Sequence, residues 1–254
     1  MRTLIMKFGG AAVASPERFA TIADLIVARE KEYGQIVVVV SAMGDTTDEL
    51  LALAFKVHPT PPRREQDMLV SVGERISMAL LAMALDLKGR EGVSLTGSQA
   101  GIITTGAHTD ARIIEVRPHR ILKYLEAKKV VIVAGFQGVS RDGEITTLGR
   151  GGSDTTAVAL GIALRAEKIE FYKDVSGIFA EDPKLSPDAK FYPRMTFEEA
   201  LSLTKKGAKV LHHRSVALAA KNGLPLHVLP FSGGAAGTLI GTSFHSPQNY
   251  EESN

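Results

Sequence analysis

The sequence predicts an α/β protein, a three-layer αβα sandwich around a mostly parallel central sheet, and three observations predict it. Strand-like and helix-like stretches alternate along the chain, the pattern of a sheet whose crossovers are helices. Four consecutive valines at 37–40 read as a strand buried on both faces, as parallel strands are. Three loops that follow strands are rich in glycine or hydroxyl residues, the places where open α/β sheets bind ligands.

Each element follows in order. Thr3–Phe8 is a short apolar strand, closed by Gly9-Gly10. Ser15, Pro16 and Glu17 supply an N-cap, a proline at the first helical position and an acid in the first turn. Phe19, Ile22 and Ile26 keep helical spacing to about Tyr33, and Gly34 stops that helix. Gln35–Val40 is the valine strand, Thr47–Val57 a helix, and Pro59, Pro61 and Pro62 break the chain behind it. Glu65–Leu87 reads as one long, mostly apolar helix. Val93–Leu95 and Lys129–Ala134 are strands flanking a helix at Pro118–Ala127, and Val139–Thr147 is a hairpin turning at Arg141-Asp142-Gly143. Asp154–Arg165 is helical, Ile169–Tyr172 a strand, Thr196–Ala220 two helices, and Leu226–Leu229 a last core strand. The tail over 244–254 is polar and expected to fray.

Composition narrows the chemistry. The 254 residues are 44% hydrophobic, 23% charged and 6% aromatic, ordinary for a folded globular chain. Thirty basic residues against twenty-eight acidic give a net +2, too balanced to predict a nucleic-acid partner. With no cysteine, disulfides, Cys-ligated zinc, iron–sulfur clusters and thiol nucleophiles are excluded together. Arg2 and Lys7 bound a strand rather than a signal h-region, and Ile76–Leu87 falls short of the roughly 18 residues that span a bilayer. A cytoplasmic protein with no membrane partner is expected.

The three loops are Lys7-Phe8-Gly9-Gly10, Ser41-Ala42-Met43-Gly44-Asp45-Thr46-Thr47 and Gly149-Arg150-Gly151-Gly152-Ser153-Asp154. Glycine lets backbone approach a phosphate, and a following helix aims N–H groups at it. Neither GxxxxGK[ST] nor GxGxxG occurs, so the P-loop and Rossmann fingerprints are missing. One such loop is most often a tight turn; three in one α/β chain predict an anion site.

These residues resemble a known family. KFGG at 7–10, SAMGDTTDELL at 41–51, SVGERISMALLAMAL at 71–85, GRGGSDTTA at 149–157, YKDVSGIFAEDPK at 172–184 and GAKVLHHRSVALA at 207–219 closely resemble the aspartate kinases, a branch of the amino-acid kinase family. The likeness runs from about residue 3 to about 243. It implies the amino-acid kinase fold, with a substrate lobe at about 1–145 and an ATP lobe at about 146–243. It implies transfer of the γ-phosphoryl group of Mg·ATP to the side-chain carboxylate of L-aspartate, the entry to lysine, threonine and methionine synthesis.

The same resemblance assigns residues. Lys7 would stabilise charge on the transferring phosphoryl group, with Lys209 as a second phosphate-binding lysine at the start of a helix. Gly9, Gly10 and Gly44 would bring N–H groups to the phosphates. Asp154 would orient the lysines and hold magnesium, if at all, through water; it or Ser153 would equally cap a helix over 154–165. Arg150 offers a planar fork for the substrate α-carboxylate, alongside Ser153. Glu74, a lone acid in an apolar helix, would bind the α-ammonium or else pair structurally. Ser41 and Thr47 would donate hydroxyls to aspartate, Thr47 being the better N-cap. Lys173, Asp174, Phe179, Asp182 and Lys184 would form the base and ribose side, although Asp182-Pro183 also opens turns. The seven histidines read as incidental. A carboxylate nucleophile is ionised at neutral pH, so no general base is needed.

Two departures stand out. Ala11 and Ala12 replace the threonine and serine of the family's KFGGTS, and His213 replaces the proline of GAKVLHP. The first leaves two other readings open, a different carboxylate acceptor or a weakly active homologue serving as a binding or regulatory subunit. Aspartate kinases commonly continue past the GTLI segment, here Gly237–Ile240, into ACT domains. Two readings follow: the sequence is a piece of a longer chain, or the protein is a catalytic subunit with a separate ACT-bearing regulatory subunit. A homo-oligomer and activity insensitive to lysine and threonine are the further expectations.

Overall fold

The computed structural model describes residues 2–181, 186, 188–205, 207–208, 210–234 and 236–242. In chain order the elements are β1 (Arg2–Phe8), α1 (Pro16–Tyr33), β2 (Gly34–Val40), α2 (Thr46–Val57), α3 (Arg63–Val70), α4 (Val72–Asp86), β3 (Gly92–Leu95), β4 (Ile102–Thr104), β5 (Ile113–Val116), α5 (His119–Glu126), β6 (Val130–Ala134), β7 (Gln137–Ser140) and β8 (Ile145–Thr147). They continue as α6 (Gly152–Ala163), β9 (Lys168–Lys173), β10 (Ile178–Phe179), β11 (Phe191–Tyr192), β12 (Arg194–Thr196), α7 (Phe197–Lys205), α8 (His213–Asn222), β13 (Leu226–Pro230) and β14 (Thr238–Gly241).

Eight strands make one sheet in the order β12-β14-β13-β9-β1-β2-β6-β3, parallel throughout except between β13 and β14. The predicted three layers are present. Side chains alternate along each strand, so the two faces of one strand feed two cores. Leu4, Met6, Phe8, Val38 and Val40 pack under α1 and α4. Ile5, Val37 and Val39 pack on the opposite face, under α5, α6, α7 and α8. The valine run is therefore buried on both sides, as its composition predicts. Lys7 has the parity of Ile5, which aims it at α6.

Local signals hold where chemistry sets them. Ser15 occupies the N-cap of α1 without a side-chain cap bond, Pro16 opens it, and Gly34 closes it in the left-handed conformation. Other boundaries differ. The long helix over 65–87 is divided at Ser71 into α3 and α4; the Ser71 hydroxyl donates to the Met68 carbonyl at 3.1 Å, and Gln137 Nε2 donates to the Ser71 carbonyl at 2.8 Å. Taken together, Arg63–Asp86 spans 24 residues with a hydropathy window of 1.6, enough by length and composition to cross a membrane. It exceeds the sequence expectation because the run begins thirteen residues earlier than Ile76, and its Leu81 and Leu85 are fully buried, as in a core helix. Asp45, not Thr47, caps α2, and Gly151 precedes α6, so Ser153 and Asp154 lie inside its first turn. A second sheet, β5-β4-β7-β8, contains the predicted hairpin and two strands that the sequence leaves unassigned.

One buried charge ties α1 to β9. Glu170 has no exposure and pairs with Arg29 Nη2 at 2.9 Å and Lys168 Nζ at 3.0 Å, and it accepts from Tyr172 Oη at 2.7 Å. Tyr172 in turn stacks on Phe8 at 4.7 Å. Removing one partner of a buried pair strands the other charge. Arg29→Ala is expected to lower stability by about 3 kcal/mol, read as an earlier urea midpoint. An unchanged midpoint would show that Lys168 and Tyr172 suffice.

Candidate active site

Strand β1 lies between β2 and β9, where the sheet changes its direction of progression. Its carboxyl end is thus the crevice that open α/β folds use for ligands. The loop after β1, the loop after β2, the loop after β9 and the first turn of α6 all meet there.

At their centre is a buried charge triplet. Lys7 Nζ stands 2.6 Å from Asp154 Oδ1, and Lys173 Nζ donates to Asp154 Oδ2 at 3.2 Å. Lys7 is 4% exposed and Asp154 5%, so neither is a solvated surface group. Burial lowers the Lys7 pKa, and the Asp154 carboxylate offsets this only in part. For Asp154, burial acts to raise the pKa, but the Lys173 and Lys7 ammonium groups prevail and lower it to about 2. The triplet therefore holds one anion between two cations, a net positive site. Lys173, expected on the base and ribose side, is tied to Asp154 beside Lys7.

A cleft of about 680 Å³ opens beside the triplet, large enough for a nucleotide. Of the expected nucleotide-binding residues, Lys7, Gly9, Gly10, Lys173, Asp174 and Phe179 line it. Gly9 lies directly over the Lys7 amine; a Cβ there would be 3.6 Å from Nζ. Gly44 is not part of the lining: its N–H donates to the Gly10 carbonyl at 3.2 Å and joins the two loops. A Cβ at Gly10 would come within 3.1 Å of the Gly44 carbonyl and 3.2 Å of the Ala42 carbonyl, so a side chain there would press on the backbone of the neighbouring loop. Ala11 and Ala12 also line the cleft; Ala12 is buried in the core beneath α1, and the Ala11 carbonyl accepts from Arg18. Asp182, Lys184 and Lys209 lie outside the described residues, as does the 244–254 tail. The helix expected to start around Lys209 begins at His213.

The expected acceptor residues lie outside that lining. Glu74, in the first turn of α4, is 3% exposed; its Oε1 accepts from the Ala42 N–H at 3.2 Å. Its Oε2 accepts no hydrogen bond from any described residue. Burial raises the Glu74 pKa to about 7, against the Ala42 N–H and the nearby Lys7 ammonium. Ser41 follows β2 and is half-buried, and Thr47 is half-buried in the first turn of α2. Ser153 packs against Gly135, whose added Cβ would lie 2.8 Å from Ser153 Oγ. Arg150 is exposed in the loop between β8 and α6.

Several residues escape the sequence reading. Tyr172, Val175, Leu203 and Val210 give the cleft its apolar lining, and no motif marks them. Asp67, fully buried, accepts from Thr147 Oγ1 at 2.5 Å and from the Thr109 N–H, and meets His108 Nδ1 at 2.7 Å. Its lone acidity in the apolar half of α3 was the available signal. His212, dismissed with the other histidines, caps α8 and lies against Gly151. His213 occupies the first helical position, where the proline it replaces is favoured.

Residues 2–230 match the model described as the amino acid kinase family. The aspartokinase of Mycobacterium bovis is 52% identical over 241 residues, 94% of this chain and 57% of that protein. The chain therefore spans a little over half the length of that relative. The crystal structure of aspartate kinase from Synechocystis superposes with a TM-score of 0.83 at 45% identity, covering 94% of this chain and 40% of that one. Escherichia coli aspartokinase III, crystallised with aspartate and ADP, superposes at 0.86 and 26% identity, covering 96% of this chain and 65% of that one.

Proposed function

The chain belongs to the amino acid kinase family, and from that premise we propose that it transfers the γ-phosphoryl group of MgATP to the side-chain carboxylate of L-aspartate. The product is 4-phospho-L-aspartate, the first intermediate toward lysine, threonine and methionine. The observation that carries this reading is the place of Lys7. Its ammonium lines the nucleotide-sized cleft, pairs with Asp154, and acts electrostatically on Glu74, whose second carboxylate oxygen has no partner among the described residues. An orphaned buried carboxylate oxygen is costly, and a substrate ammonium satisfies it. The complex of the E. coli relative with aspartate and ADP supports both halves of the site.

The chemistry asks little covalent help. The aspartate side-chain carboxylate is ionised at neutral pH and attacks the γ-phosphorus without a general base. The new O–P bond forms as the bond to the β-phosphate oxygen breaks, and ADP leaves. Lys7 and Lys173 meet the charge on the equatorial and bridging oxygens, fixed in advance by Asp154. Arg150, Ser153, Ser41 and Thr47 hold the acceptor, with Glu74 on its α-ammonium. Lys209, Asp182, Lys184 and Asp174 serve the nucleotide. Both Asp154 oxygens face lysines, so magnesium enters with the ATP phosphates, as part of the substrate.

On this reading residues up to about 145 form the acceptor side and those from about 146 to 243 the nucleotide side, with the β1–β9 seam between them. A homo-oligomer and a cytoplasmic setting complete the proposal. ATP turnover with hydroxylamine tests it, since hydroxylamine traps acyl phosphates as hydroxamates. Aspartate-dependent hydroxamate is expected, with none from L-glutamate or N-acetyl-L-glutamate. Product from another carboxylate alone would mean that Ala11 and Ala12 mark a changed acceptor.

A further inference from the structure

The segment from Leu148 to Gly152 carries Arg150 and delivers Asp154 to the charge triplet, yet three of its five residues are glycine. Gly149 and Gly151 both hold left-handed φ, +70° and +69°. Such a chain has a large conformational entropy to lose, so its shape must be imposed from outside.

It is held from two directions. From α8, Arg214 donates Nη1 to the Leu148 carbonyl at 2.7 Å and Nη2 to the Ala111 carbonyl at 3.3 Å, with Asp110 Oδ1 3.3 Å from Nη1. His212 closes on the same loop: a Cβ on Gly151 would lie 2.1 Å from its Cγ. From α3, Asp67 takes the Thr147 hydroxyl just before the loop and the Thr109 N–H just beside it. The Asp110 carboxylate lies 3.0 Å from where a Cβ on Gly149 would be. Gly207, Ala208 and Val210, which line the nucleotide cleft, lead directly into α8. One short stretch of chain thus contacts both the cleft and the Arg150 loop.

We propose that Arg214 is a positioning residue for the acceptor site: by bridging the Leu148 and Ala111 carbonyls it fixes the glycine-rich loop so that Arg150 faces the acceptor α-carboxylate. This rests on the functional reading above. A guanidinium suits the task because its rigid planar fork presents separate nitrogens to two carbonyls, whereas an ammonium is a single point of charge on a flexible stem. The side chain itself touches neither the cleft nor Glu74, so its effect is selective. Losing it loosens the acceptor contact and leaves the nucleotide site formed by the loops after β1 and β9.

Arg214→Ala and Arg214→Lys test this in the full chain. Arg214→Ala is expected to raise the aspartate KM about tenfold while the MgATP KM stays within twofold, with Arg214→Lys recovering part of the loss. Amide exchange over 147–153 is expected to accelerate in Arg214→Ala and not over 2–8. An aspartate KM within twofold of wild type, or both KM values rising in parallel, overturns the proposal. Should the alanine variant fail to fold, the same split, smaller, is required of the lysine variant. Wild-type protein that makes no aspartyl hydroxamate overturns the functional reading instead; the exchange comparison then decides whether Arg214 grips the loop at all.

Discussion

Lys7→Ala is expected to lower kcat by about 10²–10³-fold while leaving the aspartate KM within about threefold, because removing one preorganised donor to a developing oxyanion has that scale. The ammonium is 4% exposed and fixed 2.6 Å from Asp154, so it needs no reorganisation as charge moves onto the transferring group. A group that acts on the transition state depresses kcat and kcat/KM together, whereas one that binds both states equally moves KM alone. Glu74 and Arg150 remain in the variant to hold aspartate. The charge balance also survives: Lys173 still faces Asp154 Oδ2 at 3.2 Å, so the carboxylate keeps one cation. Some stability is lost, since a buried pair has been opened, and kinetics belong on protein whose melting transition is intact. A kcat within fivefold of wild type would remove Lys7 from the mechanism.

What the sequence discloses of this site is what sits on strong local signals. Lys7 stands out because a lysine ending a core strand beside two glycines has no ordinary structural use, and the structure buries it against Asp154. The valine strand and α1 are legible for the same reason, since periodicity, Pro16 and Gly34 are properties of neighbouring residues. What stays hidden depends on distant parts of the chain. The Ser71 carbonyl at the break between α3 and α4 accepts from Gln137, 66 residues away, a contact that no feature near Ser71 announces. The pairing of Lys173 with Asp154 follows from β9 lying beside β1, a fact of sheet order. Strands β4 and β5 are three and four residues long and partly exposed, too short for alternation to register. Arg214 reads as one more cation on a helix until its carbonyl partners are in view.

Glu74 gives the second large effect, and it is a pH effect. With its pKa raised to about 7 chiefly by burial, Glu74 holds a proton in the folded free protein at pH values where an unfolded chain, near 4.5, has lost it. The folded state thus binds the extra proton between about 4.5 and 7, and stability that is full below that window declines as pH rises through it. By linkage the decline amounts to about 3 kcal/mol. Glu74→Gln removes the charge that must be buried and is expected to raise stability by about that much at pH 8, and by little at pH 4.5, in paired urea titrations. Acceptor binding runs the other way. The α-ammonium of aspartate pairs only with the ionised carboxylate, so the aspartate KM is expected to rise about tenfold for each unit that pH falls below 7, with proton release on binding in that range. Glu74→Gln should raise the aspartate KM at pH 8 and flatten its pH dependence while leaving the MgATP KM alone. A variant that gains stability at pH 8 but keeps normal aspartate kinetics would mean that Glu74 is a strained structural acid, held by the Ala42 N–H, and that the acceptor ammonium is bound elsewhere.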